Sequence, residues 1–238
     1  MLYSIGLELL KKINLIKNCN LLMCMKDWEE AYQKKGEIQA WVSDIVKNSL
    51  DLFKERNVKK VLDLCFGTGR HVIFLAENGL DVYGIDISKT GKEITEKKVK
   101  GKNLKNVHLK LADMHNIPFE NNFFDAIIAV YTLEHNTLAG LKKTTLELNR
   151  VLKSKGILVA TLISTKDPRY DTGKEIEPNT FTNIKDPAES DVPHRFSDEK
   201  EAKELFTRFN LIDVKEKTGY SERRKMKTVH WEIIAEKF

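Results

Sequence analysis

The chain has 238 residues, 41% of them hydrophobic, enough for one substantial core and too few for two full domains. Its formal charge of +5 arises from interspersed acids and bases, so the field is mildly basic rather than that of a dedicated nucleic-acid binder, and RNA is neither required nor excluded. Cys19, Cys24 and Cys65 show no Cys-x-x-Cys spacing and no zinc-type clustering with histidines, which predicts no metal site and a reduced, cytoplasmic setting.

Residues 1–24 contain apolar residues interrupted by Lys11, Lys12 and Lys17, which breaks a signal-peptide core. Leu9, Ile13 and Ile16 recur at helical spacing, so the segment reads as an N-terminal extension or loosely packed helix ahead of a single domain over 25–238. No run of eighteen apolar residues occurs, and no membrane span is expected. Trp28 and Tyr32 lie four apart on one helical face, and Val42, Ile45, Val46, Ser49, Leu50 and Phe53 mark a second amphipathic helix.

Residues 61–71 read VLDLCFGTGRH: a buried strand, a glycine-bearing turn and a helix start. Gly67 and Gly69 let a backbone approach a ligand closely, and the next helix offers unpaired N–H groups, so a nucleotide-like cofactor is expected here. About twenty residues on, a second strand (Val82 to Ile85) ends in Asp86, a carboxylate placed for both hydroxyls of an unphosphorylated ribose. The third glycine of a dinucleotide fingerprint is missing, since Arg70, His71 and Val72 follow Gly69, which argues against a nicotinamide-dependent oxidoreductase. Asp63, at the end of the first strand, is placed to receive the ammonium of an amino acid.

Further along, Ser88 is an N-cap, Val107 to Leu111 a third strand and Phe123 to Tyr131 a fourth. Leu138, Leu141, Thr145, Leu148 and Leu152 mark a helix, and Ile157 to Ile163 a fifth strand. Periodicity collapses over 164–196, which holds four of the five prolines and reads as a lid loop over the substrate. Ser197 then caps a helix through Phe209, and two strands, Leu211 to Lys217 and Val229 to Ala235, form an antiparallel pair.

Asp63-x-Cys65-x-Gly67-x-Gly69 followed by Asp86 resembles the first two motifs of class I S-adenosylmethionine (SAM) methyltransferases. Leu111-Ala112-Asp113-Met114, Phe123 to Ala129, Leu133-Glu134-His135 and Arg150 to Lys153 with Gly156 to Leu158 resemble the later ones, in order, over roughly residues 28–238. The chain looks most like small-molecule enzymes of the tellurite-resistance and ubiquinone-biosynthesis type. The resemblance implies an α/β, Rossmann-like doubly wound sheet of seven strands in order 3-2-1-4-5-7-6 with strand 7 antiparallel. It implies SAM as cofactor, with Asp63, Leu64, Cys65, Gly67 and Gly69 at its methionine end, Asp86 at the ribose, Asp113 at the adenine amine, Ile87 and Met114 around the ring, Val130 at the end of the fourth strand, and Tyr32 as a lid contact. Cys65 stands where the family has its first glycine and fits if its backbone stays extended; Phe66 follows where a small residue is common and narrows the methionine end.

Methyl transfer from a sulfonium is an in-line displacement, catalysed mostly by alignment and exclusion of water. Val130-Tyr131-Thr132-Leu133 lacks the Asn/Asp-Pro-Pro-aromatic turn associated with methylation of base amines, so DNA is not an expected partner and a small-molecule acceptor remains. His194 is the candidate general base for an oxygen acceptor. Tyr131, Tyr170, Arg195 and Trp231 are candidates for the acceptor pocket. The rival reading is a non-catalytic SAM-binding or RNA-partner protein.

Overall fold

The computed structural model describes residues 28–185 and 192–238. The predicted extension over 1–24 lies outside them.

The central strands form because their side chains are apolar on both faces. In β1 (Lys60–Leu64), Val61, Leu62 and Leu64 are at most 1% exposed, and in β4 (Phe124–Ala129) Ala126, Ile127, Ile128 and Ala129 are fully buried. Each such side chain contributes roughly 1.5–3 kcal/mol relative to exposure. Helices cover the two faces: α2 (Asp44–Glu55) buries Ile45, Val46 and Phe53 as its spacing predicts, and α3 (Arg70–Glu77), α4 (Lys89–Gly101) and α5 (Leu138–Val151) follow β1, β2 and β4. The Ser88 hydroxyl accepts the Gly91 N–H at 3.0 Å and caps α4 as expected; Thr137 caps α5 in the same way.

β2 (Asp81–Asp86), β3 (Val107–Leu111) and β5 (Leu152–Ser164) complete the parallel part, in order β3-β2-β1-β4-β5. β10 (Met226–Lys237) pairs antiparallel with β5 and with β9 (Phe209–Ser221). The path β3-β2-β1-β4-β5-β10-β9 is the expected 3-2-1-4-5-7-6 arrangement with strand 7 antiparallel.

The described residues of the 164–196 span, 164–185 and 192–196, are not the structureless loop that the pattern predicts. They contain β6 (Lys174–Glu177), β7 (Thr180–Thr182) and β8 (His194–Ser197), and β8 pairs with the end of β5 at Ile163 and Ser164, beyond the point where β4 stops. Ile163, Phe181, Ile184 and Phe196 form a small core of their own, with Tyr170 against it. Strands of three or four residues are too short to show a period, so no sequence window reveals them. The helix cap also moves: Ser197 closes β8, and Asp198 accepts the Glu201 N–H at 2.8 Å to start α6 (Glu199–Glu204), which ends before Phe209.

Candidate active site

The turn after β1 carries three left-handed residues, Cys65 (φ 55°), Gly67 (φ 57°) and Gly69 (φ 81°). Cys65 is therefore not extended as predicted; its Cβ occupies a backbone region that costs an L-residue about 1–2 kcal/mol. Phe66 packs its ring into the core beside β2, where a Cβ on Gly84 would come within 2.6 Å of it, and also borders the larger half of the cleft under the N-terminal helix.

Asp86, at the end of β2, is 4% exposed and accepts the N–H of Gly67 and of Ser88, each at 2.8 Å. The acid thereby ties the β1 turn to the β2 turn. Burial pushes its carboxyl up to about 6, against those hydrogen bonds and with the Glu29 charge adding to the rise. Both oxygens retain lone pairs for further donors.

Asp63 is 2% exposed, and its Oδ2 has no hydrogen-bond partner among the described residues. Burial raises its carboxyl to about 7; the Arg70 charge opposes the rise and Asp86 adds to it. Arg70, the first residue of α3, is itself held below its usual range by burial, with the charges of Asp63, Tyr32, Tyr131 and Glu134 restoring part of the loss. An orphaned buried carboxylate oxygen beside a guanidinium suits a ligand that bears an ammonium and a carboxylate on one carbon.

The helix over residues 28–35, α1, covers this turn. Glu29 accepts the Ser88 hydroxyl at 2.6 Å and the Thr90 hydroxyl and N–H at 2.6 and 3.1 Å, which latches α1 to the start of α4. Tyr32 lies over Gly67, where a Cβ would meet its hydroxyl at 2.7 Å, and Trp28 stacks on Tyr32 with ring centroids 5.8 Å apart.

Under α1 lies a cleft with two joined halves that share Trp28, Tyr32, Cys65, Tyr131 and His135. The smaller half adds Asp86, Ile87, Met114 and Thr132. The larger half adds Gly67, Arg70 and Val130, then Glu134, Arg169 and residues of the β9–β10 hairpin. Gly69 sits behind the turn against Thr95, and Leu64 belongs to the core rather than the cleft wall. The Asp113 carboxylate is taken by the His115 N–H and ring at 2.9 and 2.8 Å and does not line the cleft, whereas Met114 does.

Of the predicted acceptor residues only Tyr131 reaches the cleft. Tyr170 turns into the small core against Phe181 and Phe196 and donates to Asn179. Arg195 is 3% exposed and bound to Glu201, Glu177, Thr180 and the Pro178 carbonyl, a brace for the insertion. Trp231 faces the opposite side of β10 and donates its indole N–H to the Ser197 carbonyl; its neighbour His230 faces the cleft. His194 is fully buried, with Nδ1 against the Val192 carbonyl, and lies behind His135 at 4.7 Å between rings. His135 is the imidazole that borders both halves. Sequence reasoning also missed Arg70 and Glu29; the basic residue directly after the second glycine was the available signal for the first, and nothing local marked the second.

No group of three or more metal-ligating side chains occurs among the described residues, and no helix there is long and apolar enough to cross a membrane. Residues 61–156 match the methyltransferase domain family. The demethylmenaquinone methyltransferase of Staphylococcus saprophyticus is 32% identical over 185 residues, covering 69% of this chain and 76% of its own. That of Thermotoga maritima is 34% identical over 130 residues, so this match spans about half of each protein. A SAM-dependent methyltransferase structure from Methanosarcina mazei superposes with a TM-score of 0.71 at 23% identity, over 83% of this chain and 98% of that one. The chain belongs to the class I SAM-dependent methyltransferases, enzymes that transfer a methyl group from that cofactor to an acceptor, here a small molecule.

Proposed function

We propose that SAM lies across the ends of β1, β2 and β4, with its ribose on Asp86, its adenine between Ile87 and Met114, and its amino-acid end between Asp63 and Arg70. The observation that carries this assignment is the orphaned Asp63 Oδ2, buried beside a guanidinium at the glycine turn. The cofactor supplies an electrophilic methyl on a sulfonium. The chain's own residues hold the two reactants in line and keep water out, Trp28 and Tyr32 by covering the turn, Val130 and Tyr131 by closing the end of β4. His135, in place of His194, takes the proton of an O–H or N–H acceptor, since it is the imidazole exposed to both halves of the cleft. The segment after β5 walls the acceptor half through Arg169.

The relatives are demethylmenaquinone methyltransferases. We carry over to this chain a small-molecule acceptor as the substrate class. We propose a cytoplasmic setting, supported by a sequence with three cysteines and no Cys-x-x-Cys spacing. Calorimetry with S-adenosylhomocysteine (SAH) tests the cofactor assignment: micromolar binding, weakened at least tenfold by Asp86→Ala, is expected. Equal affinity in that variant, or no binding at millimolar ligand, overturns it.

A further inference from the structure

One imidazole joins the two loops that flank the smaller half of the cleft. His115, on the loop after β3, sets Nδ1 2.8 Å from the Asp113 carboxylate and Nε2 2.8 Å from the amide oxygen of Asn136, on the turn between β4 and α5. The Asn136 amide nitrogen donates in turn to the Leu133 carbonyl at 3.2 Å and to the Met114 sulfur at 3.5 Å. Met114 lines the smaller half of the cleft, and so do Thr132 and His135 of the same turn. A chain of hydrogen bonds therefore runs from the β3 loop to the turn that borders both halves.

Donor and acceptor roles along this chain leave one assignment. A carbonyl oxygen and a thioether only accept, so the Asn136 nitrogen faces Leu133 and Met114 and its oxygen faces His115. Burial works against the charge on Asp113, yet the hydrogen bonds from His115 hold its carboxyl below the ordinary range. Both ring nitrogens thus meet acceptors, and only the doubly protonated ring satisfies both. Burial presses the His115 ring down, but the Asp113 bond and charge and the Asn136 bond outweigh it and raise the ring above its ordinary value, with Lys143 of α5 opposing. Glu147, the one acid of α5, is taken by Arg150 and the Ile117 N–H, while Glu134 and His135, which precede Asn136, line the cleft.

The fold keeps room for this bridge. A Cβ on Gly140, in the first turn of α5, would come within 2.6 Å of the Asn136 oxygen and 2.9 Å of His115 Nε2, at a helix position where alanine is otherwise the better former. Loss of the Nε2 proton would set two lone pairs against each other at 2.8 Å. Turning the Asn136 amide over to relieve them would give up both Leu133 and Met114.

Resting on the placement of adenine against Met114 given above, we propose that His115 is a positioning residue that acts as an imidazolium: its two N–H groups lock Met114 and the β4–α5 turn in the arrangement that receives the nucleoside, which therefore binds the protonated form more tightly. The bridge is complete below the ordinary histidine value of 6.5 and is lost as pH rises through the raised value of the folded ring. By reciprocity, the bound nucleoside raises that value further.

The probe is 5′-methylthioadenosine, which carries adenine and ribose without the amino-acid end. The full chain and His115→Gln are titrated with it calorimetrically at pH 6 and pH 9 and constant ionic strength. Asp86 and Asp63 also titrate in this cleft, so the readout is the ratio of the parent's affinity to the variant's. That ratio is expected to be about fivefold or more larger at pH 6 than at pH 9. The His115 ring, followed by NMR, should titrate above its ordinary value in the free chain and higher still in the complex. Gly140→Ala, which presses on the bridge and keeps the ring, should weaken the nucleoside several-fold at pH 6 and less than twofold at pH 9. A ratio equal at the two pH values, or a ring whose titration does not move on binding, overturns the proposal while the adenine placement stands. No binding to the parent at millimolar nucleoside sinks the adenine placement itself, and this proposal with it.

Discussion

Replacing Asp63 with Asn separates the energetic burden of this carboxylate from its use. Burial pushes its carboxyl from an ordinary 3.8 up to about 7 in the folded chain, so the folded state binds the proton more tightly than the unfolded chain. Folding stability from this group therefore falls as pH rises from about 4 through about 7 and is level above. Between pH 5 and 7 the loss is two pH units at ~1.4 kcal/mol each, about 3 kcal/mol. Asn carries no such charge but brings an amide N–H2 into a buried place, at a cost of about 1–3 kcal/mol that does not depend on pH. Urea unfolding of the cofactor-free protein at pH 5 and pH 8 measures both. The stability of Asp63→Asn relative to the parent should improve by about 3 kcal/mol from the lower pH to the higher. The same variant should lose SAH affinity by tenfold or more at pH 8, since the ammonium has lost its carboxylate. A stability difference that does not move with pH, or undiminished SAH affinity, would refute the claim that Asp63 is held as an unpartnered buried acid for the ligand's use.

Arg70→Ala should weaken SAH at least tenfold yet leave adenosine binding within twofold in the same calorimeter, because only the amino-acid end is lost. Glu29→Gln loosens the latch on Ser88 and Thr90, so SAH should dissociate several-fold faster in stopped-flow fluorescence of Trp28. Gly69→Ala places a Cβ 2.4 Å from the Thr95 methyl at φ 81° and should cost about 2 kcal/mol or more by chemical denaturation. Cys65→Gly removes the left-handed penalty and the side chain bordering both halves, and a higher SAH affinity is the expected outcome.

The parallel half of the fold was legible because its signals are local and long enough to repeat. Val61 to Leu64 and Phe124 to Ala129 are continuous apolar strands, Gly67 and Gly69 punctuate the turn, and Asp86 follows at the distance set by one helix and one strand. The acceptor side was not legible, because strand register decides it and a single step along β10 exchanges Trp231 for His230. Tyr170, Arg195 and His194 failed for another reason: 164–196 folds on its own small core, which consumes the very aromatic and charged residues that a loop would have offered to a substrate.

Cys65 shows how far a motif tolerates substitution when its hydrogen bonds survive. The glycine loop is held by Asp86 through Gly67, by the Gly69 N–H to the Phe66 carbonyl at 2.9 Å and by Thr95 to the Gly67 carbonyl at 3.2 Å, none of which involves the side chain of residue 65. A left-handed cysteine then costs about 1–2 kcal/mol, less than those bonds would lose in an extended turn. Backbone geometry is thus set by the neighbours, and the side chain at this position is carried into the cleft between the two halves. Its consequence falls on the ligand: the thiol borders the cofactor half and the acceptor half alike, so affinity and acceptor shape respond to residue 65 while the fold does not.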